Sequence, residues 1–106
     1  MKRQNRRKER IAMEFDLVLR GDLVLPDRVA ENGWIAVSGG KIAAIGEGAA
    51  PPARAIEDAS GCLVFPGVVD GQTHAGSIAG FAGLEDLSRS AIAGGVTTIV
   101  DMPFDD

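Results

Sequence analysis

Cysteine is nearly missing from this chain. Cys62 is the only one in 106 residues, so no internal disulfide can staple the fold. Long apolar runs are missing too, and no stretch approaches the length of a membrane span. Both absences point to a soluble, cytoplasmic protein in a reducing compartment. No basic residue lies near Cys62 in sequence to activate a thiolate, so it reads as a small buried hydrophobe. Aromatic residues number five: Phe15, Trp34, Phe65, Phe81 and Phe104. A core of large rings is therefore excluded, and 14 glycines favour tight turns and close backbone packing instead.

Several functional motifs are also lacking. No nucleophile elbow and no Cys/His zinc-ligand spacing occurs. The loop Ser77-Ile78-Ala79-Gly80 lacks the Lys-Ser/Thr pair of a phosphate loop, and the glycines from Gly39 to Gly48 open no helix, so a dinucleotide site does not fit.

Charge is present but lopsided. Residues 1–10 hold six of the eleven basic residues and one of the fifteen acidic ones, a local balance of +5. The remainder stands at −9, which repels phosphate backbones and excludes nucleic acid as a partner of the body. No apolar segment follows the basic run, so it does not read as a secretory signal. Residues 1–13 are expected to form a disordered basic tail, with Met13 a candidate initiator.

From Phe15 onward the pattern is of short strands. Phe15 to Leu19 and Asp22 to Leu25 are apolar runs split by Arg20-Gly21, a turn or bulge signal. Trp34 to Val37 and Ile42 to Ile45 flank Ser38-Gly39-Gly40-Lys41, which predicts a β-hairpin. Arg54 to Asp58 predicts a further strand, and Ala59-Ser60-Gly61 a turn into Cys62 to Phe65. After Pro66-Gly67 the pattern changes. Val68 to His74 starts apolar and ends polar, and Ala75 to Gly83 reads as a small-residue loop. Leu84, Leu87, Ala91 and Ile92 then recur at helical spacing, with Glu85 and Asp86 in the first turn and Gly94-Gly95 as the stop. Val96-Thr97-Thr98-Ile99-Val100 is a run of β-branched residues, the mark of a parallel strand covered on both faces. Strand, helix and strand make one βαβ unit, and chemistry in such units collects at the carboxyl ends of the strands.

Asp70, Gln72 and His74 alternate there, so they share one face. Two imidazoles so placed would grip one metal ion, but only one of the upper two positions is histidine. By itself His74 reads either as a hydrogen-bonded structural residue or as a ligand, and Asp70 as a residue that orients local backbone.

The segment Phe65-Pro66-Gly67-Val68-Val69-Asp70-Gly71-Gln72-Thr73-His74 resembles the barrel opening of the amidohydrolase superfamily, in its allantoinase, hydantoinase (dihydropyrimidinase) and dihydroorotase branch. Ala93-Gly94-Gly95-Val96-Thr97-Thr98-Ile99-Val100-Asp101-Met102-Pro103 is similar to that branch almost residue for residue. Asp16 to Gly21 and Gly40 to Gly46 look like its N-terminal β-sandwich. The resemblance implies an α/β fold: a small β-sandwich subdomain over 14–66, and over 67–106 the first strand, helix and strand of a (β/α)8 TIM-type barrel, truncated. It implies hydrolysis of C–N bonds in a small cyclic amide with one or two divalent metals, usually zinc, in a homo-oligomer at full length, with neither membrane nor nucleic acid as partner.

Carried over to this chain, His74 matches the second of the two metal-binding histidines of the first strand. Gln72 stands where the first would be. Its neutral amide oxygen is a poorer zinc donor than imidazole, so the metal pair His74 and Gln72 is weakened or altered. That departure also admits a second reading, a non-catalytic relative that has lost its metal site. After Met102-Pro103, where the branch commonly has asparagine, stand Phe104-Asp105-Asp106. Two acids there repel an anionic substrate and favour a neutral ureide or hydantoin. A barrel of this kind needs roughly 250 residues, and no catalytic residue can be assigned within these 106. The segment alone is expected to be inactive.

Overall fold

Alternation of side chains along residues 15–24 and 29–38 sends every second residue to the same face, and the two stretches pair as antiparallel strands β1 (Phe15–Val24) and β2 (Val29–Ser38). The computed structural model describes residues 14–102. The expected basic tail, Met13 and the acids Asp105 and Asp106 lie outside the described residues. The chain divides into two compact units at Phe65/Pro66.

In the first unit, Ser38-Gly39-Gly40-Lys41 turns β2 into β3 (Lys41–Glu47) as the spacing predicts. Both glycines have positive φ, 59° and 73°, as a two-residue turn matched to strand twist requires. The Gly39 N–H also donates to Asp16 Oδ2 at 2.7 Å, tying the turn to the first strand. β4 (Ala53–Val64) pairs in parallel with β1, giving the sheet order β3-β2-β1-β4.

Arg20-Gly21, read as a turn or a bulge, is a bulge, and the turn expected at Ala59-Ser60-Gly61 is a bulge as well. The runs 15–19 and 22–25 form one strand whose register shifts near Gly21. Likewise Asp58 and Leu63 pair with Arg20 and Asp22, so residues 59–62 bulge out of a continuous β4 opposite Gly21. Gly61 takes φ 83° there, and the Ser60 amide donates to Asp58 Oδ1 at 3.0 Å. Cys62 lies in that bulge and is exposed, contrary to the buried position expected for it. β4 is an edge strand of the sheet, and among the described residues it pairs only with β1.

The core of this sheet is small: Val18, Leu23, Ala30 and Ala36 are buried. Gly33 packs beside Leu23, and a Cβ at position 33 would stand 2.6 Å from Leu23 Cγ. Leu17, Val37 and Ile42 lie opposite one another, as do Leu19, Ile35 and Ile45, so six aliphatic side chains share one face. Ile42 and Ile45 remain 63% and 50% exposed. Of the expected β-sandwich, the described residues form one sheet. With so few buried side chains, truncating one matters: Leu23→Ala should destabilise this unit by about 2–5 kcal/mol. Urea unfolding followed by Trp34 fluorescence reads it directly, and a loss below 1 kcal/mol would mean Leu23 is not the centre of the core.

In the second unit, β5 (Val68–Thr73), α1 (Ala75–Ala93) and β6 (Val96–Asp101) form a parallel strand pair joined through a helix. The helix begins at Ala75, well before the expected Leu84, so the presumed loop 75–83 is largely helical. Two helical segments meet at a kink at Gly80, where φ is 62° and ψ −155°. Glu85 and Asp86 therefore fall in the later segment, and the first turn of α1 has no acid. Gly94 and Gly95 end the helix as expected: Gly94 N–H donates to Ala91 O at 3.0 Å and Gly95 takes φ 84°. The β-branched run does become a parallel strand. It is not covered on both faces, since Val100 is 52% exposed and Thr97 and Thr98 are exposed as well. Two strands and one helix supply a single layer of cover. Among the described residues no helix is long and apolar enough to cross a membrane.

Candidate functional site at the carboxyl ends of β5 and β6

Strands β5 and β6 run parallel, so their carboxyl ends lie side by side, and the amino end of α1 starts from the same edge. Thr73 pairs with Asp101 across the sheet, and the Met102 amide donates to Thr73 O at 2.8 Å. That last bond carries the pairing one residue past the end of β6, beside His74.

His74 is the N-cap residue of α1, with φ −131° and ψ 28°, and its own side chain makes no cap bond to the helix. The helix amides are capped from the neighbouring strand instead. Ala75 N–H donates to Asp101 Oδ1 at 3.0 Å and Gly76 N–H to Asp101 Oδ2 at 3.1 Å. The Thr73 hydroxyl, buried, donates to Asp101 Oδ1 at 2.8 Å. One carboxylate thus satisfies two of the four amides that a helix start leaves unpaired, and a hydroxyl besides. Gly76 permits this approach, because a Cβ there would stand 2.7 Å from Asp101 Oδ2. The Ser77 hydroxyl donates to His74 O at 2.9 Å and closes the turn from inside.

These bonds stabilise the ionised form of Asp101. The Thr73 hydroxyl, above all, holds its carboxyl below the usual aspartate value; burial opposes this, and the Gly76 and Ala75 amides and the nearby His74 assist. A carboxyl depressed in the folded state contributes stability that is full above its unfolded value and is lost as pH falls through the folded one. The melting-temperature gap between the wild type and Asp101→Asn should therefore be full above about pH 5 and shrink as pH falls below the usual aspartate range. A gap that widened as pH fell would show that the charge of Asp101 is not what its partners hold.

The imidazole is held from β6 as well. His74 Nδ1 lies 3.3 Å from Met102 O. A carbonyl only accepts, so this contact places the proton on Nδ1 and leaves the lone pair on Nε2. Gln72 Nε2 stands 3.4 Å from His74 Nε2, where its N–H can donate to that lone pair. Asp70 Oδ1 accepts from the Gln72 backbone N–H at 3.1 Å, which turns this carboxylate toward its own strand. The structure thus brings Gln72 and His74 together and leaves Asp70 in a local backbone role.

An anchored Nδ1–H and an Nε2 lone pair directed away from it are what a metal-binding histidine requires. The separation of the two side chains also suits a shared ion. Two donors on a tetrahedral zinc, each at about 2.0–2.1 Å, stand about 3.4 Å apart. A half-turn of the Gln72 amide would put Oε1 in place of Nε2. Among the described residues no three His, Cys, Asp or Glu side chains converge. Thr73, Asp101, Gly76 and the Met102 carbonyl escaped the sequence reading. In the sequence Asp101 and Met102 stand out only as part of the motif Ala93 to Pro103, and their partners lie 25 to 28 residues away in the chain.

Known proteins share this arrangement of elements. Allantoinase of Escherichia coli strain K12 is 42% identical over 94 residues, which cover 87% of this chain and 20% of that protein. The L-hydantoinase (dihydropyrimidinase) of Arthrobacter aurescens superposes with a TM-score of 0.69 at 36% identity, over 84% of this chain and 21% of that one. Over more than four fifths of its length the chain is similar to enzymes of the amidohydrolase superfamily. An N-acyl-D-glutamate deacylase of Bordetella bronchiseptica, solved with zinc and a phosphonate mimic of the tetrahedral intermediate, superposes with a TM-score of 0.63 at 33% identity, over 83% of this chain and 18% of its own. No family model matches. The chain spans about a fifth of the length of these relatives.

Proposed function

We propose that this chain supplies part of the metal site of a hydrolase that opens cyclic amides of the allantoin or hydantoin kind. The observation that carries the reading is the posture of His74: at the carboxyl end of β5, Nδ1 on a backbone carbonyl and Nε2 beside Gln72. Relatives named for allantoin and hydantoin hydrolysis, and a zinc-bound deacylase of the same superfamily, support it. In a protein of the relatives' full length, β5, α1 and β6 would open a (β/α)8 barrel and the four-stranded sheet would belong to a β-sandwich. The whole would be a cytoplasmic homo-oligomer.

His74 Nε2 and, after amide rotation, Gln72 Oε1 would hold a divalent ion, with further ligands from outside the described residues. Bound there, zinc supplies Lewis-acid polarisation of an amide carbonyl and a lowered pKa for water. Met102 O keeps the proton on Nδ1 and so keeps Nε2 available. Asp101 fixes the turn that carries the ring.

A second reading is favoured by the Gln72–His74 contact, which occupies the lone pair that a metal needs. In it the protein is a non-catalytic relative. The full-length protein, reconstituted with zinc, decides between the two when assayed on hydantoin, allantoin and dihydroorotate. Ring opening of the neutral ureides supports the hydrolase. No turnover of any of them, with no zinc retained, supports the non-catalytic relative.

A further inference from the structure

We infer that Asp101 is a positioning residue that sets the tautomer and orientation of the His74 ring through the turn they share. Its carboxylate receives Thr73 Oγ1 at 2.8 Å, Ala75 N at 3.0 Å and Gly76 N at 3.1 Å, donors from residues on both sides of His74. The next residue, Met102, offers the carbonyl that lies 3.3 Å from Nδ1, and its own amide bonds back to Thr73 O at 2.8 Å. The end of β6 therefore grips the backbone around His74 with a side chain and the ring with a carbonyl. Asp101 also interacts electrostatically with the ring, and its three hydrogen bonds hold the turn that places the ring against Met102 O. Without the carboxylate, the helix start loses its cap, Thr73 loses its acceptor and the turn is free to carry Nδ1 away from Met102. The consequence for metal binding rests on the proposed role of His74 as a ligand. The tautomer does not.

His74 is the only histidine of the 106 residues, so its ring nitrogens give unambiguous 15N NMR signals. At about pH 8.5, above the ordinary histidine range, the chain should show Nδ1 protonated and Nε2 bare, the reverse of the form that free histidine favours. Asp101→Ala should move the ring toward the Nε2-protonated form. Thr73→Val, which removes one donor and leaves the carboxylate, should move it the same way by less, and it decides the matter should Asp101→Ala fail to fold. A wild-type ring protonated on Nε2, or a folded variant with an unchanged tautomer, would overturn the inference. In the full-length protein, Asp101→Ala should weaken zinc binding about 10- to 100-fold, as loss of a ligand's supporting partner does. If the tautomer follows Asp101 while zinc binding ignores both Asp101 and His74, the positioning role stands and the metal reading falls.

Discussion

Replacing His74 by alanine in the full-length protein should strip zinc and ring-opening activity together. The loss of affinity should exceed the roughly 10- to 100-fold that a change in a supporting residue brings, because an entire imidazole donor leaves the site. The Nδ1 contact to Met102 O and the capping of α1 by Asp101 separate two roles at this position. The backbone of residue 74 begins the helix, and alanine can still supply that. Only the ring can supply Nε2. The melting temperature of the apo variant should accordingly stay close to that of the apo wild type while metal content collapses. Isothermal titration with zinc beside a thermal melt reads both. A variant that kept full metal content and full activity would make His74 structural. The 106-residue chain by itself should bind zinc no better than a surface histidine does, since its described residues present no cluster of three ligating side chains.

Gln72→His should act in the opposite direction. Gln72 Nε2 already stands 3.4 Å from His74 Nε2, about the spacing of two donors on one tetrahedral zinc. Its amide, however, presents a neutral oxygen only after turning, and gives up its hydrogen bond to His74 in doing so. Imidazole is the better donor to zinc and presents its lone pair without a competing N–H on the same atom. Affinity in the full-length protein should rise by at least about tenfold, the scale on which ligand-shell changes register. Gln72 is exposed, so the change should cost the fold little. Competition titration against a chelator of known affinity measures the gain. Unchanged affinity would mean that position 72 does not face the ion and would strengthen the non-catalytic reading.

Local signals carried much of the second unit. The β-branched run 96–100 and the glycine pair at 94–95 lie where a strand and a helix stop are found, because each is decided by residues within one turn or one strand. The hairpin at Gly39-Gly40 was legible for the same reason. What failed was non-local. The start of α1 had no readable cap, since its cap is the carboxylate of Asp101, 26 residues downstream of Ala75. The exposure of Cys62 goes with the sheet order, which places β4 at an edge, and strand order is not written in composition. The bulge at Gly61 reads as a turn because glycine marks both, and the parallel pairing of β1 with β4 distinguishes them. At the site, alternation put Gln72 and His74 on one face. The partners that fix the ring, Met102 O and Asp101, came into view only with the pairing of β5 and β6.

The most direct test of the account is where zinc sits relative to His74 in the full-length protein. A crystal structure of the zinc-loaded protein, with anomalous maps at the zinc edge, should show an ion about 2.0–2.1 Å from His74 Nε2, with Nδ1 still on the Met102 carbonyl. Zinc bound elsewhere, with Gln72 still hydrogen-bonded to Nε2, would contradict it.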